Sequence, residues 1–152
     1  MPGLPPATQE GKNTFDFLLN GESWTPQGFN GTANLNIDYD SGIDDGVCGI
    51  SSYRIITSDN RQYFGIGIAD SVNYIHAPFT VKIRNSSLGR LRFEYKNCSY
   101  FSTDVDTYVD GEINITIMNR VKRIIAGRFN VVLHKQGCDT VKITEGRFDM
   151  KF

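Results

Sequence analysis

Ile113-Asn114-Ile115-Thr116-Ile117 alternates large aliphatic with polar side chains, and the segments after it, Ile124 to Leu133 and Val141 to Phe152, follow as two further strand-like runs. In an extended chain successive side chains point to opposite faces, so such a run has one apolar and one wet face. Short polar turns join the three, which predicts an antiparallel meander at the end of the chain. Inside it, Ile125-Ala126-Gly127-Arg128-Phe129-Asn130-Val131 resembles Thr144-Glu145-Gly146-Arg147-Phe148-Asp149-Met150. A single match is no repeat array; it reads as two strands solving one problem, with a glycine that eases a bulge or close approach beside a buried Phe.

The same period runs back through the chain: Leu91, Phe93 and Tyr95; Phe79, Val81 and Ile83; Phe64, Ile66 and Ile68; Ala33, Leu35, Ile37 and Tyr39 each alternate with polar residues or glycine. Asn20-Gly21 between Asn13–Leu19 and Glu22–Thr25 is the strongest short-range hairpin signal, and a two-residue loop there pairs Phe17 with Trp24. Ser71 to His76 is the one place where a helical turn is expected, with Asp70 and Ser71 available as caps. The whole predicts an all-β domain over residues 13–152, an antiparallel β-sandwich or flattened barrel of about nine to eleven strands, after a Pro- and Gly-rich leader over 1–12 that reads as a flexible tether.

Composition is compatible with this. A chain of 152 residues, 39% hydrophobic and 22% charged, is too apolar for disorder and too charged for helical membrane spans, and can bury a proper core. The net charge of -1 supplies no overall field for nucleic acid. Charge is nonetheless uneven: the first 76 residues hold 3 basic and 9 acidic side chains, the remaining 76 hold 13 and 8. Strands from both halves interleave in an antiparallel fold, so the imbalance by itself predicts no basic patch.

Chemistry-bearing motifs are scarce. There is no G-x-S-x-G elbow, HExxH, P-loop or GxGxxG, and His76 and His134 lack a metal-ligand partner at the usual spacing. Asp38, Asp40, Asp44 and Asp45 crowd a glycine-broken loop, but Ile43 and Gly49 stand where an EF-hand needs its turn glycine and bidentate Glu, so a solvated turn is expected rather than a calcium site. No catalytic residue, metal or cofactor is assigned. Tyr95, Tyr100 and Tyr108 lie among Asn, Ser and Thr around Cys98, a mixture that can bind a sugar or partner by stacking and hydrogen bonding; these three are the candidate ligand-binding residues. Cys48, Cys98 and Cys138 form no C-x-x-C pair and read as small, buried or half-buried thiols, with stability indifferent to reduction.

Leu4-Pro5-Pro6-Ala7-Thr8-Gln9, Asn13-Thr14-Phe15, Asn20-Gly21 with Trp24, Gly111-Glu112-Ile113-Asn114-Ile115, Ile124-Ile125-Ala126-Gly127-Arg128-Phe129 and Ile143-Thr144-Glu145-Gly146-Arg147-Phe148-Asp149 together resemble an uncharacterised family of Bacteroidetes lipoproteins. The likeness covers both ends of the chain and little of residues 27 to 108. Asp16 stands where the family commonly has Gly, and Ala126-Gly127-Arg128 where it has Ser-Gly-Thr. The resemblance implies a cleaved lipoprotein signal upstream, an envelope location and membrane attachment only through that lipid anchor; it implies no activity. An exported location would favour at most one disulfide, for which the pair expected is Cys98 with Cys138. The functional expectation is a monomeric, non-catalytic envelope domain that binds a glycan, lipid or protein partner and not nucleic acid. A lipocalin-like carrier of a small apolar ligand is the alternative, and an enzyme comes third.

Overall fold

The computed structural model describes residues 3–152, and it is all-β. Among the described residues eleven strands are formed: β1 Thr14–Leu19, β2 Glu22–Trp24, β3 Leu35–Asp40, β4 Val47–Thr57, β5 Asn60–Ile68, β6 Phe79–Ile83, β7 Gly89–Tyr95, β8 Cys98–Phe101, β9 Thr107–Asn119, β10 Ile124–Lys135 and β11 Val141–Lys151. They hydrogen-bond in the order β2-β1-β11-β10-β9-β6-β7-β5-β4-β3, with β8 on β7. The path is nearly severed at one point, because β6 and β7 share a single parallel pair, Ile83 with Gly89. There the sheet turns back, giving one leaf of β2-β1-β11-β10-β9-β6 and a second of β3-β4-β5-β7-β8.

The leaves meet over a core of aromatic rings. Phe17 stacks on Trp24 at 4.7 Å as the Asn20-Gly21 turn requires, and both turn residues take the positive φ of a type I′ hairpin, 49° and 87°. Phe17 and Phe15 touch Phe64 of the other leaf at 4.8 and 5.6 Å, and Phe15 stacks on Phe129 at 5.3 Å. The buried indole N–H of Trp24 donates to Gln62 Oε1 at 2.8 Å, which satisfies both polar groups inside the core.

The C-terminal meander forms as expected, with β9, β10 and β11 in antiparallel register. The two Gly-Arg-Phe units lie face to face: Gly127 pairs with Phe148, Arg128 with Arg147 and Phe129 with Gly146. A Cβ on Gly127 would lie 2.8 Å from the Phe148 ring, and one on Gly146 2.5 Å from the Phe129 ring. Each ring therefore occupies the side-chain space of the glycine opposite.

Three local expectations change. The helical turn forms where expected, as a single 3-10 turn, Val72–Tyr74, with Ser71 at its N-cap position, but no side chain caps it; Ser71 Oγ donates instead to Asp70 Oδ1, at 2.7 Å. The turn is held by the acidic loop, since Ser71, Asn73 and Val72 donate their N–H groups to the carbonyls of Asp44, Asp45 and Gly46. Second, residues 8–12 of the leader are fastened to the domain: Thr8 Oγ1 and the N–H groups of Glu10, Gly11 and Lys12 all donate to the Asp149 carboxylate, at 2.6 to 3.1 Å. Met1 and Pro2 lie outside the described residues. Third, not all the cysteines are free thiols. Cys98 and Cys138 form a disulfide across a separation of 40 residues, the pair expected if one bond formed, and Cys48 alone stays reduced and buried. The bridge ties β8 of the second leaf to the β10–β11 turn of the first, where the Tyr100 hydroxyl also donates to the Asp139 carbonyl. Sequence spacing did not reveal it because the contact joins strands that are distant in the chain.

Candidate functional site

The tyrosines singled out from the sequence are not brought together. Tyr100 is fully buried beside Phe93, and Tyr95 is half-buried with its ring stacked on Phe93 at 5.3 Å. Tyr108 is exposed, but it sits on β9 of the opposite leaf, paired with His134. They form no common surface.

What the fold builds instead is a trough on the outer face of the second leaf. In β4 the inward residues are Cys48, Ile50 and Ser52, which leaves Gly49, Ser51 and Tyr53 outward; in β5 the outward residues are Tyr63, Gly65 and Gly67. Register aligns them into rows across the sheet. One row is Asp38, Gly49, Gly67 and Arg90, drawn from β3, β4, β5 and β7. The next is Asn36, Ser51, Gly65, Arg92 and Phe101. The two central strands thus carry almost no side chain, and the outer two carry long or polar ones. The result is a depression of about 530 Å³ running along the strands, floored by Gly49, Ser51, Gly65 and Gly67. Its walls stand roughly 14 Å apart, three strand spacings. Smaller hollows extend it past Tyr63 to Tyr53, Thr32 and Ala33. The Tyr53 hydroxyl closes that end by donating to the Thr32 carbonyl and accepting from the Asn30 N–H.

The walls differ in charge. The β7 wall carries Arg90, which makes no ion pair or side-chain hydrogen bond among the described residues. Beside it Arg92 bonds Glu94 at 3.2 Å and lies 5.9 Å from the centroid of the Phe101 ring. The β3 wall carries Asn36 and Asp38. The uneven charge of the sequence reappears here as two facing walls, one strand from each half of the chain.

Glycine in the floor has different causes at different positions. A Cβ on Gly67 would meet the Cys48 carbonyl oxygen at 2.5 Å, so packing requires glycine there. A Cβ on Gly65 would meet only the Ile50 carbonyl oxygen at 3.9 Å, and one on Gly49 would meet nothing within 4 Å. Those two glycines weaken their strands and fill no packing need.

Cys48, behind the floor, has its pKa pushed up to about 12, first by burial and then by the Asp38 carboxylate, so it is a protonated thiol at neutral pH. His76 and His134 are both exposed and lie elsewhere; His134 shares a hydrogen bond with Thr140. Among the described residues no three His, Cys, Asp or Glu side chains are placed to hold a metal, the Asp38 to Asp45 loop included. A void inside the sandwich, lined by Ile66, Ile113, Ile125 and Phe148 among others, is about 20 Å³, room for one water and not for an apolar ligand. No helix among the described residues is long and apolar enough to cross a membrane.

In comparisons with protein-family models, curated proteins and solved structures, none matches the chain.

Proposed function

We propose that this is a non-catalytic, monomeric ligand-binding domain of the cell envelope, akin to the Bacteroidetes lipoproteins its two ends resemble, and that its ligand lies in the trough on the outer face of β3, β4, β5 and β7. The observation that carries this reading is the pair Gly49 and Gly65, whose missing side chains leave the floor open without serving the fold. Binding sites are concave and lined by a few convergent polar groups, and here Arg90, Arg92 and Asp38 border an open floor, with Asn36 lining the hollow that adjoins it. The Cys98–Cys138 bond supports an exported location, because disulfides persist in oxidising compartments. The very small interior void favours a surface site over the carrier alternative.

The test uses the trough itself. Gly49→Leu and Gly65→Leu put side chains into open space, so both variants should fold and melt at or slightly above the parent. A ligand at a hundredfold its Kd stabilises a folded domain by about 2.7 kcal/mol, visible in a thermal-shift screen of glycans, lipids and envelope fragments. Hits should bind the parent unchanged chemically and fail on the filled variants. Binding that survives both substitutions moves the site elsewhere, and chemical turnover of any hit makes the domain an enzyme.

A further inference from the structure

We infer that the trough takes an oligosaccharide bearing carboxylate groups, its acid edge on Arg90 and Arg92 and its hydroxyl edge on Asn36, Asp38 and Ser51. This rests on the trough being the ligand site and names the chemistry of what it holds.

The basic wall is the first reason. On the outer face of the other leaf the cations of β6 and of the residue after it are neutralised by β9: Lys82 by Glu112 at 3.1 Å and Arg84 by Asp110 at 3.3 Å. β7 has no such partner strand. Its outward neighbours on β5 are Gly67 opposite Arg90 and Gly65 opposite Arg92, so both guanidinium groups border an empty floor. Glu94 offsets the charge of Arg92, leaving that of Arg90 uncompensated. A planar guanidinium with free donors matches a carboxylate in bidentate geometry.

The opposite wall excludes a ligand that is acidic throughout. The Asp38 carboxylate would repel a second carboxylate and accept from hydroxyl groups, while Asn36 beside it on β3 and Ser51 on the adjoining floor both donate and accept. The trough therefore calls for a molecule anionic on one edge and rich in hydroxyls on the other, which is the make-up of a uronic or sialic acid unit in a sugar chain. The floor adds a flat surface of backbone and Cα atoms from Gly49, Gly65 and Gly67, open to the C–H face of a pyranose ring.

An acidic peptide fits less well. Extended peptides gain their affinity by adding a strand to an exposed sheet edge, where backbone groups are unpaired. Here the floor strands β4 and β5 are interior, each bonded on both sides, so a peptide lying on this face finds no backbone partners.

The experiment is a binding array of oligogalacturonate, oligoglucuronate, oligomannuronate and sialyl-oligosaccharides, each beside its methyl ester, read with the full chain and with Arg90→Ala, Arg92→Ala, Asp38→Asn, Gly49→Leu and Gly65→Leu. At least one carboxylate form should bind, and its methyl ester should bind about tenfold or more weakly, as should the parent ligand to Arg90→Ala. Asp38→Asn should leave the acid contact intact, and added salt should weaken binding. Esters that bind as well as acids, or indifference to both arginine substitutions, overturn the acidic-sugar inference; if such binding is still lost in Gly49→Leu, the trough stands as the site. An array with no hit of either kind overturns the inference and leaves the trough to the broader screen, whereas binding that persists in both Gly49→Leu and Gly65→Leu removes the trough together with the inference.

Discussion

On the inner face of the meander Gly127 and Gly146 each lie under a phenylalanine ring, whereas on the outer face of the second leaf Gly49 and Gly65 lie under nothing. The residue and the secondary structure are the same in both places. The difference is what occupies the vacated volume: protein in one case, solvent or a ligand in the other. The outer faces of the leaves diverge in the same way. On the first, Asp149 is buried by the leader residues that bond to it; on the second, Arg90 and Arg92 stand exposed beside an open floor. One surface is finished by the chain itself and the other is left for something else.

The largest test of that contrast concerns the tie between the leaves. Closing a 40-residue loop stabilises by about 4 kcal/mol in the chain-entropy account, so reduction, or Cys98→Ala with Cys138→Ala, should lower the unfolding free energy measured by chemical denaturation by an amount of that order, with a lower midpoint. An unchanged midpoint would mean that β8 is secured by Lys135, Tyr100 and Asp139 without the bond.

Next come the glycines. Gly146→Val drives methyl groups into the Phe129 ring and should cost about 1–3 kcal/mol, while Gly49→Val should be neutral or stabilising by up to about 1 kcal/mol. Equal effects in thermal melts would erase the distinction on which the trough rests.

The smallest effect concerns the leader. Burial raises the Asp149 pKa, but bonds from Thr8 and from the N–H groups of Glu10, Lys12 and Gly11 outweigh it and hold the group below its ordinary value. A depressed carboxylate contributes stability that is full above the unfolded-state pKa, about 3.9, and is lost as pH falls through the lower folded-state value. Asp149→Asn should therefore cost about 1–2 kcal/mol at neutral pH and less below pH 4, checked by urea denaturation across pH. Asp16, raised by burial against the pull of Arg147, has the opposite sign: its ionisation opposes folding at neutral pH and ceases to do so in acid.

Most of the fold was legible because its strands alternate strongly and Asn20-Gly21 fixes one register outright. β4 and β8 carry no clear alternation of their own; in β4, Gly49, Ser51 and Ser52 give little contrast between faces, and Ser52 turns inward to donate to the Phe64 carbonyl. The site was illegible for a related reason. Its signal is an absence of side chains on two strands flanked by polar residues on two others, and only the register between Asp38, Gly49, Gly67 and Arg90 assembles it. The tyrosines misled because composition does not say which face a strand residue occupies, and the β8 register sends Tyr100 inward against Phe93. The disulfide was legible only as a conditional pair.

The adjacency of β1 and β11 has a consequence for how the protein is made. Phe15 pairs with Phe148, so the first strand of this domain to be made finds its partner in the domain's last. Until β11 emerges, the Phe15, Phe17 and Trp24 cluster has no leaf to complete, and the nascent chain carries its stickiest hairpin exposed throughout synthesis. Pairings of such long sequence separation form late and slowly, in milliseconds to seconds for all-β domains. Closure of this domain therefore waits on the synthesis of β11.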